Sequence, residues 1–389
     1  MKHFKRTLTL QNSIFLGLSS MIGAGLFVNI APAAVVSSYS LIFGLLVASV
    51  LAFSNASSSA QLARLYPETG GTYLYARKVL GNKASFLAGA AFIIGKIISS
   101  IAIALTFGNY LLPSSPRVAG IVVILIVGIV SYFGATKTAS VAKWFVYSVS
   151  GILIFYIISL ISTESFNFTI PVSDGLSFES LLLSSSIWFF AFTGYSRLAT
   201  FGEEVKNPET IIPKAIMTGL GITVTLYLLT TYATLGIVDP SIIQNSLTPL
   251  KVAFDVSRFS SFSFLISIAS TIATASVLLA LIPGISRIVV AMSRDNYLPT
   301  LLASIHKKYN SAYFADIFIS SVVVIGILLF DVVEAIKLSS FFILLYYSLT
   351  NYSVIKLEKS KRLYSVLIAY FGLLGCILLA LVLLLDFLK

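Results

Sequence analysis

The chain has 389 residues, 57% of them hydrophobic and only 11% charged, where a soluble domain carries about a quarter charged residues. Soluble globular folds are excluded, and apolar runs of roughly twenty residues point to spanning helices rather than to the short alternating strands of an outer-membrane barrel. The net charge of +11 is scattered between hydrophobic segments and forms no basic face, so nucleic acid is not a partner. The single cysteine, Cys376, sits in the last apolar run, and His3 and His306 lie in polar flanks. Disulfides, metal clusters and Ser-His-Asp catalysis are therefore not expected, nor is a cofactor or an enzymatic activity.

In chain order the predicted spans are 10–35, 38–62, 84–112, 117–134, 141–163, 179–202, 211–236, 260–292, 313–330, 334–355 and 363–386, each near or above the length that crosses a bilayer. This is an all-α polytopic membrane protein of about eleven helices, with 1–389 forming one domain. If the N-terminus is cytoplasmic, the inside segments collect 19 Lys and Arg, from Lys2, Lys5 and Arg6 through Lys137 to Arg362. The outside keeps 5: Arg117, Lys251, Arg258, Lys337 and Lys389. The positive-inside rule then orients the chain in the cytoplasmic membrane, with the C-terminus outside if there are eleven helices. The first apolar run lacks a cleavage pattern and is needed as a helix.

Two spans are interrupted by small residues. The first contains Gly17-Leu18-Ser19-Ser20-Met21-Ile22-Gly23-Ala24-Gly25-Leu26-Phe27, and the sixth contains Phe189-Phe190-Ala191-Phe192-Thr193-Gly194-Tyr195-Ser196-Arg197. Glycine-interrupted helices at matching places in two five-helix halves are the sequence pointer to an inverted-repeat secondary transporter, whose site forms where those helices unwind. The repeats would cover about 10–163 and 179–355, with an additional helix at about 363–386. Five is odd, so the second half runs in the opposite sense, as alternating access requires. Taken alone, Gly-Ala-Gly reads as a close-packing surface; the paired spacing and the motifs that follow favour the break.

Four segments carry a family resemblance: Ser20-Met21-Ile22-Gly23-Ala24-Gly25-Leu26-Phe27; Tyr66-Pro67-Glu68-Thr69-Gly70-Gly71-Thr72-Tyr73-Leu74-Tyr75; Phe189 to Tyr195, continuing through Glu203-Glu204-Val205-Lys206-Asn207-Pro208 to Ile216; and Ala291-Met292-Ser293-Arg294-Asp295-Asn296-Tyr297-Leu298-Pro299. Together they resemble the amino acid/polyamine/organocation transporter superfamily over about residues 12 to 300. The resemblance implies a 5+5 inverted repeat of the leucine-transporter type, with discontinuous first and sixth helices, and an amino acid as substrate. Two features depart from the family. Its members usually have twelve helices, and proton-coupled relatives carry a lysine midway along the fifth, where this chain has Tyr147-Ser148-Val149-Ser150. The coupling mechanism does not transfer.

An amino acid brings a carboxylate and an ammonium into the membrane, and each needs a partner there. The freed amides of Ala24 and Gly25 begin a half-helix whose positive end suits the carboxylate. The carbonyls around Ser20 to Ile22 and Ala191 to Thr193 suit the ammonium. Met21, Ile22, Gly23, Ala24, Gly25, Ala191, Phe192, Thr193, Gly194 and Tyr195 are the candidate binding residues, with glycine at 23 and 25 admitting the ligand close to the backbone and Phe192 and Tyr195 capping the pocket. The alternative for both aromatics is lipid-facing or core packing. Pro67, Gly70 and Gly71 require a tight turn, and Tyr73 and Tyr75 read as belt residues anchoring an interfacial helix. Glu203 and Glu204, with Arg197, Lys206 and Arg294, are candidates for inner-gate ion pairs or for solvated loop charges.

Lys96 and Arg197 are the ionisable side chains nearest mid-membrane, and no Asp or Glu lies at comparable depth. An intramembrane charge is costly and marks function by default. Arginine keeps its proton, whereas lysine can shed it when desolvated, which makes Lys96 the proton-coupling candidate; the structural alternative is a strut held by carbonyls. Ser19 and Ile22 with Thr274 and Ser276 could form a sodium site of oxygen ligands, although hydroxyls in such stretches also serve as interhelical glue. The readings that remain are a secondary active amino acid transporter, with H+ preferred over Na+ as coupling ion; an amino acid or polyamine exchanger or exporter without proton coupling; and a passive channel, which would need a continuous polar lining that these helices lack.

Overall fold

The structure is a computed structural model that describes residues 6–68, 70–134, 139–169, 177–201, 203–309 and 311–389, with backbone alone for Ala139 and residues 199–201. Lys2, His3, Lys5, Thr69 and Lys137 lie outside the described residues. Among the described residues the regular structure is helical, apart from one isolated bridge between Leu8 and Val205. Helix is what this composition requires, because only intrahelical bonds satisfy every backbone group in hydrocarbon.

The first span is two helices, α1 (Leu10–Met21) and α2 (Ala24–Ser37). Thr9 caps α1 by accepting from the Asn12 amide, and the helix stops where Ile22 and Gly23 leave helical geometry. A 3₁₀ turn leads to α3 (Leu41–Leu65), and a short α4 (Gly71–Leu80) follows the turn made by Gly70 and Gly71, whose positive φ values of 141° and 54° suit glycine. Next come α5 (Asn82–Leu111), α6 (Pro116–Tyr132), α7 (Ala139–Ile161) and α8 (Phe178–Phe192). Helix α8 gives way at Thr193 and Gly194 to a 3₁₀ segment, Tyr195–Phe201. The chain continues through α9 (Pro208–Leu235), the short α10 (Pro240–Ile243) and α11 (Pro249–Asp255), then α12 (Phe264–Arg294), α13 (Tyr313–Leu329), α14 (Val332–Ile355) and α15 (Val366–Phe387).

Seven helical stretches among the described residues are long and apolar enough to cross a membrane: Leu10–Leu65, Asn82–Leu111, Ser140–Ile161, Pro208–Leu235, Ser260–Arg294, Val332–Ile355 and Val366–Phe387. The first covers two predicted spans. The predicted spans 117–134, 179–202 and 313–330 correspond to helices of 17, 15 and 17 residues. The protein is thus an all-α polytopic membrane protein.

Lateral contacts fix two ends of the bundle. At one end Leu8 pairs with the loop after the 3₁₀ segment, where the amides of Thr7 and Leu8 donate to the Glu204 carbonyl (2.9 and 3.0 Å) and Lys206 N donates to Leu8 O (2.9 Å). At the other, Lys389 pairs with Glu179 at the start of α8, and Tyr39 donates to Asp239. Because α8 and its 3₁₀ continuation run from Glu179 towards Val205, the described chain starts and finishes at opposite ends.

Candidate functional site

The two interruptions face each other at the centre of the bundle. A Cβ on Gly25 would run into the backbone of Ala191, and one on Gly194 into the Ser20 carbonyl. One turn from Gly25, Asn29 Nδ2 donates to Ile187 O at 2.8 Å, one turn before Ala191. Helices α2 and α8 therefore pack in register at backbone contact. The glycine at 25 permits this approach of the two helices and also borders the cavity beside them.

The freed carbonyls are largely engaged. Tyr227 Oη, from α9, reaches Met21 O at 2.5 Å and Ala191 O at 3.3 Å, joining both breaks through one hydroxyl. Lys96 Nζ, from α5, donates to Thr193 O at 3.0 Å. Lys96 is 4% exposed, so this bond supplies a partner that hydrocarbon would deny it.

Beside the breaks lies a cavity of about 60 Å³, several times the roughly 10–15 Å³ that one water needs. Of the residues named from the sequence, Met21, Gly23, Ala24, Gly25, Ala191, Thr193 and Gly194 line it, together with Lys96 and Arg197. Ile22, Phe192 and Tyr195 do not. Ile22 turns its amide back to Leu18 O (2.7 Å). Phe192 packs on Tyr227 with ring centroids 5.4 Å apart, and Tyr195 packs on Tyr347 at 5.2 Å. The aromatic walls are Phe92 and Phe190. Two residues along a helix rotate the side chain by about 200°, which is why Phe190 faces the cavity and Phe192 faces away. The cavity's described lining contains two cationic side chains and no carboxylate.

The hydroxyls suggested for an ion site turn inward on their own helices, with Ser19 Oγ donating to Leu16 O and Thr274 Oγ1 to Ser270 O; neither residue lines the cavity, nor does Ser276. No group of three His, Cys, Asp or Glu side chains is clustered for a metal among the described residues.

Among the gate candidates, Glu204 interacts with Arg197 and also gains a partner that the sequence did not suggest. Glu204 pairs with Arg287 on α12 at 3.9 Å, not with Lys206 or Arg294; burial pushes its carboxyl up, opposed by Arg287 and Arg197. A second connection is stronger: Arg77 on α4 grips Asp295 through two nitrogens at 2.6 and 3.0 Å, and Tyr73 donates to the same carboxylate. Tyr73 and Tyr75 are 4% and 1% exposed, so they are interior residues and not the lipid-facing belt suggested above. The reason is that α4 packs against α5 and α14, which cover it. Asp316, in the first turn of α13, is also buried and accepts from Ser286 Oγ at 2.5 Å. Tyr227, Arg287 and Asp295 were missed as partners. Tyr227 stands among Thr223, Thr225, Thr230, Thr231 and Tyr232 on α9, and nothing local marks it out among these hydroxyls as the one that reaches the breaks.

If the Arg77–Asp295 contact holds this end shut, Asp295→Asn should raise labelling of a Ser20→Cys reporter by a maleimide added from that side. About two- to fivefold is expected, the range for a partly exposed ion pair. Unchanged labelling would remove the contact from the gate.

A family model described as amino acid permease matches residues 8–386. An uncharacterized transporter of Mycobacterium tuberculosis (strain ATCC 25618 / H37Rv) is 36% identical over 377 residues, covering 97% of this chain and 86% of the relative. The branched-chain amino acid permease BcaP of Bacillus subtilis (strain 168) is 23% identical over 385 residues, covering 92% and 82%. A methylthioribose transporter of the same organism is 26% identical over 350 residues, covering 84% and 75%.

Proposed function

The chain belongs to the amino acid permease family, and on that premise we propose that it is a secondary active transporter that carries amino acids across the cytoplasmic membrane by alternating access. The observation that carries this reading is the meeting of two interrupted helices, Gly25 against Ala191 and Gly194 against Ser20, beside a cavity lined by Lys96 and Arg197. In this reading eleven helices cross the membrane, the halves 10–163 and 179–355 are inverted repeats, and the N-terminus is cytoplasmic. The substrate carboxylate lies at the amides that open α2, where the helix dipole is positive. Its ammonium competes with Lys96 for the Thr193 carbonyl. A cavity with two cations and no described carboxylate suits neutral or acidic amino acids better than cationic ones.

Coupling follows from that change of partners. A lysine displaced from Thr193 keeps its proton while the substrate carboxylate lies beside it and sheds it once the site empties, so proton and substrate are carried in the same direction. The same hydrogen bond also supports a second reading, exchange without proton coupling, in which Lys96 is a fixed strut.

Uptake of radiolabelled amino acids into proteoliposomes with imposed gradients tests the proposal. Saturable accumulation above equilibrium is expected; flux that only equalises concentrations without saturation would mean a channel. The topology is tested separately. Cys376 is fully buried in α15 and should resist an impermeant maleimide in intact cells, while a cysteine added after Lys389 should label from outside. Labelling of the added cysteine only after permeabilisation would refute the eleven-helix topology.

A further inference from the structure

An open groove of about 540 Å³ lies away from the central cavity, between the corner joining α4 to α5 and the end of α14. Its rim carries Lys83 and Lys356, and its wall is formed by Val79, Leu80, Leu349 and Tyr352. We infer that this groove binds the phosphate headgroup of an anionic phospholipid, with the acyl chains running along the apolar wall.

Three independent features point to such an amphiphile. First, Lys83 and Lys356 form no ion pair with any described residue, whereas Arg77 pairs with Asp295, Lys78 with Glu68 and Lys361 with Glu358; Lys359, also without an ion pair to any described residue, lies outside the groove. Second, Lys83 and Ala84 stand in the first turn of the 30-residue α5, which has no acidic residue in that turn and no side-chain cap at Gly81. The exposed amides and the positive helix end add to the two ammonium groups in favouring an anion. Third, the wall beneath the cations is apolar and Tyr352, 40% exposed, lies 5.4 Å from the Lys356 ammonium across its ring face. Tyrosine at headgroup level with hydrocarbon-facing residues beside it is the arrangement of a membrane interface. Helix α14 ends at Ile355, which puts Lys356 where that helix leaves the bilayer. A free phosphate would use the cations and leave the apolar wall without a role; a phospholipid uses both. Basic pockets of this kind between helices recognise anionic headgroups.

The full chain, purified in mild detergent and equilibrated with equal amounts of phosphatidylglycerol and phosphatidylcholine, is examined by native mass spectrometry. Wild type should retain phosphatidylglycerol preferentially. The Lys83→Gln/Lys356→Gln variant should lose about 25-fold in phosphatidylglycerol affinity, roughly fivefold for each lysine near an anionic surface. Lys83→Arg/Lys356→Arg should keep the preference, which separates loss of charge from misfolding. Lys359→Gln, an exposed lysine outside the groove, should change nothing. Phosphatidylglycerol retention undiminished in the double Gln variant, or reduced as much by Lys359→Gln, would overturn the assignment. Full displacement by inorganic phosphate at tens of millimolar would also overturn it and mark a site for free anions.

Discussion

Gly25→Leu is expected to reduce amino acid uptake to under about 1% of wild type and to lower the melting temperature of the purified protein. Even a methyl group at this position meets the Ala191 backbone, and a backbone can retreat only if α2 separates from α8. Forcing extra methylenes into such a contact costs about 1–3 kcal/mol for small insertions, and leucine adds four carbons. Gly25→Ala should already be severe, losing about tenfold in uptake. Gly23→Ala should be milder, because the nearest atom to its Cβ is the side-chain Cγ2 of Val277 at 2.6 Å, which can move without parting the helices. Ala191→Gly combined with Gly25→Ala should recover part of the loss, since it removes one of the colliding carbons; a positive coupling in that double-mutant cycle is the diagnostic result. Wild-type melting and uptake in Gly25→Ala would show that the two breaks do not meet as described.

Lys96→Met should abolish acceleration of uptake by an inward proton gradient, bringing the ratio of gradient-driven to gradient-free rates to about one, while substrate counterflow persists. Methionine keeps the length of the side chain but cannot carry a proton or donate to Thr193 O, which Lys96 reaches at 3.0 Å. Lys96→Arg should also fail to couple, because a guanidinium remains charged throughout the cycle. The two variants differ in a second readout. Arginine can still donate to Thr193 O and should bind substrate weakly by holding the carbonyl, whereas methionine leaves it open to the substrate ammonium. Gradient-driven uptake unchanged in Lys96→Met would leave the lysine as a strut and favour exchange.

The contacts that differ from the sequence expectation share a physical cause. Tyr73 and Tyr75 occur in a short, glycine-led segment that resembles an interfacial helix, and nothing local shows that α5 and α14 cover it. Glu204 has Lys206 two residues away, yet it pairs with Arg287, more than eighty residues on. Near neighbours in a loop point in different directions, and a partner is chosen by which helix end passes closest in space. Phe192 and Phe190 are equivalent in composition, and only the rotation of α8 against α2 decides which faces the cavity.

What the chain determined by itself is what acts within a few residues. Hydropathy over about twenty positions set the spans, the distribution of lysine and arginine suggested sidedness, and the non-helical geometry adopted by Ile22 and Gly23, and by Thr193 and Gly194, lies within the interrupted segments named from composition. The tertiary structure decided how the resulting backbone groups are used. Tyr227 satisfies Met21 and Ala191 from another helix, Lys96 satisfies Thr193 from a third, and Gly25 is required by Ala191 across the helix pair. Hydrogen-bond partners and close backbone approaches depend on the rotation and depth of each helix relative to the others. Those quantities are set by packing between segments far apart in sequence, and no local pattern encodes them.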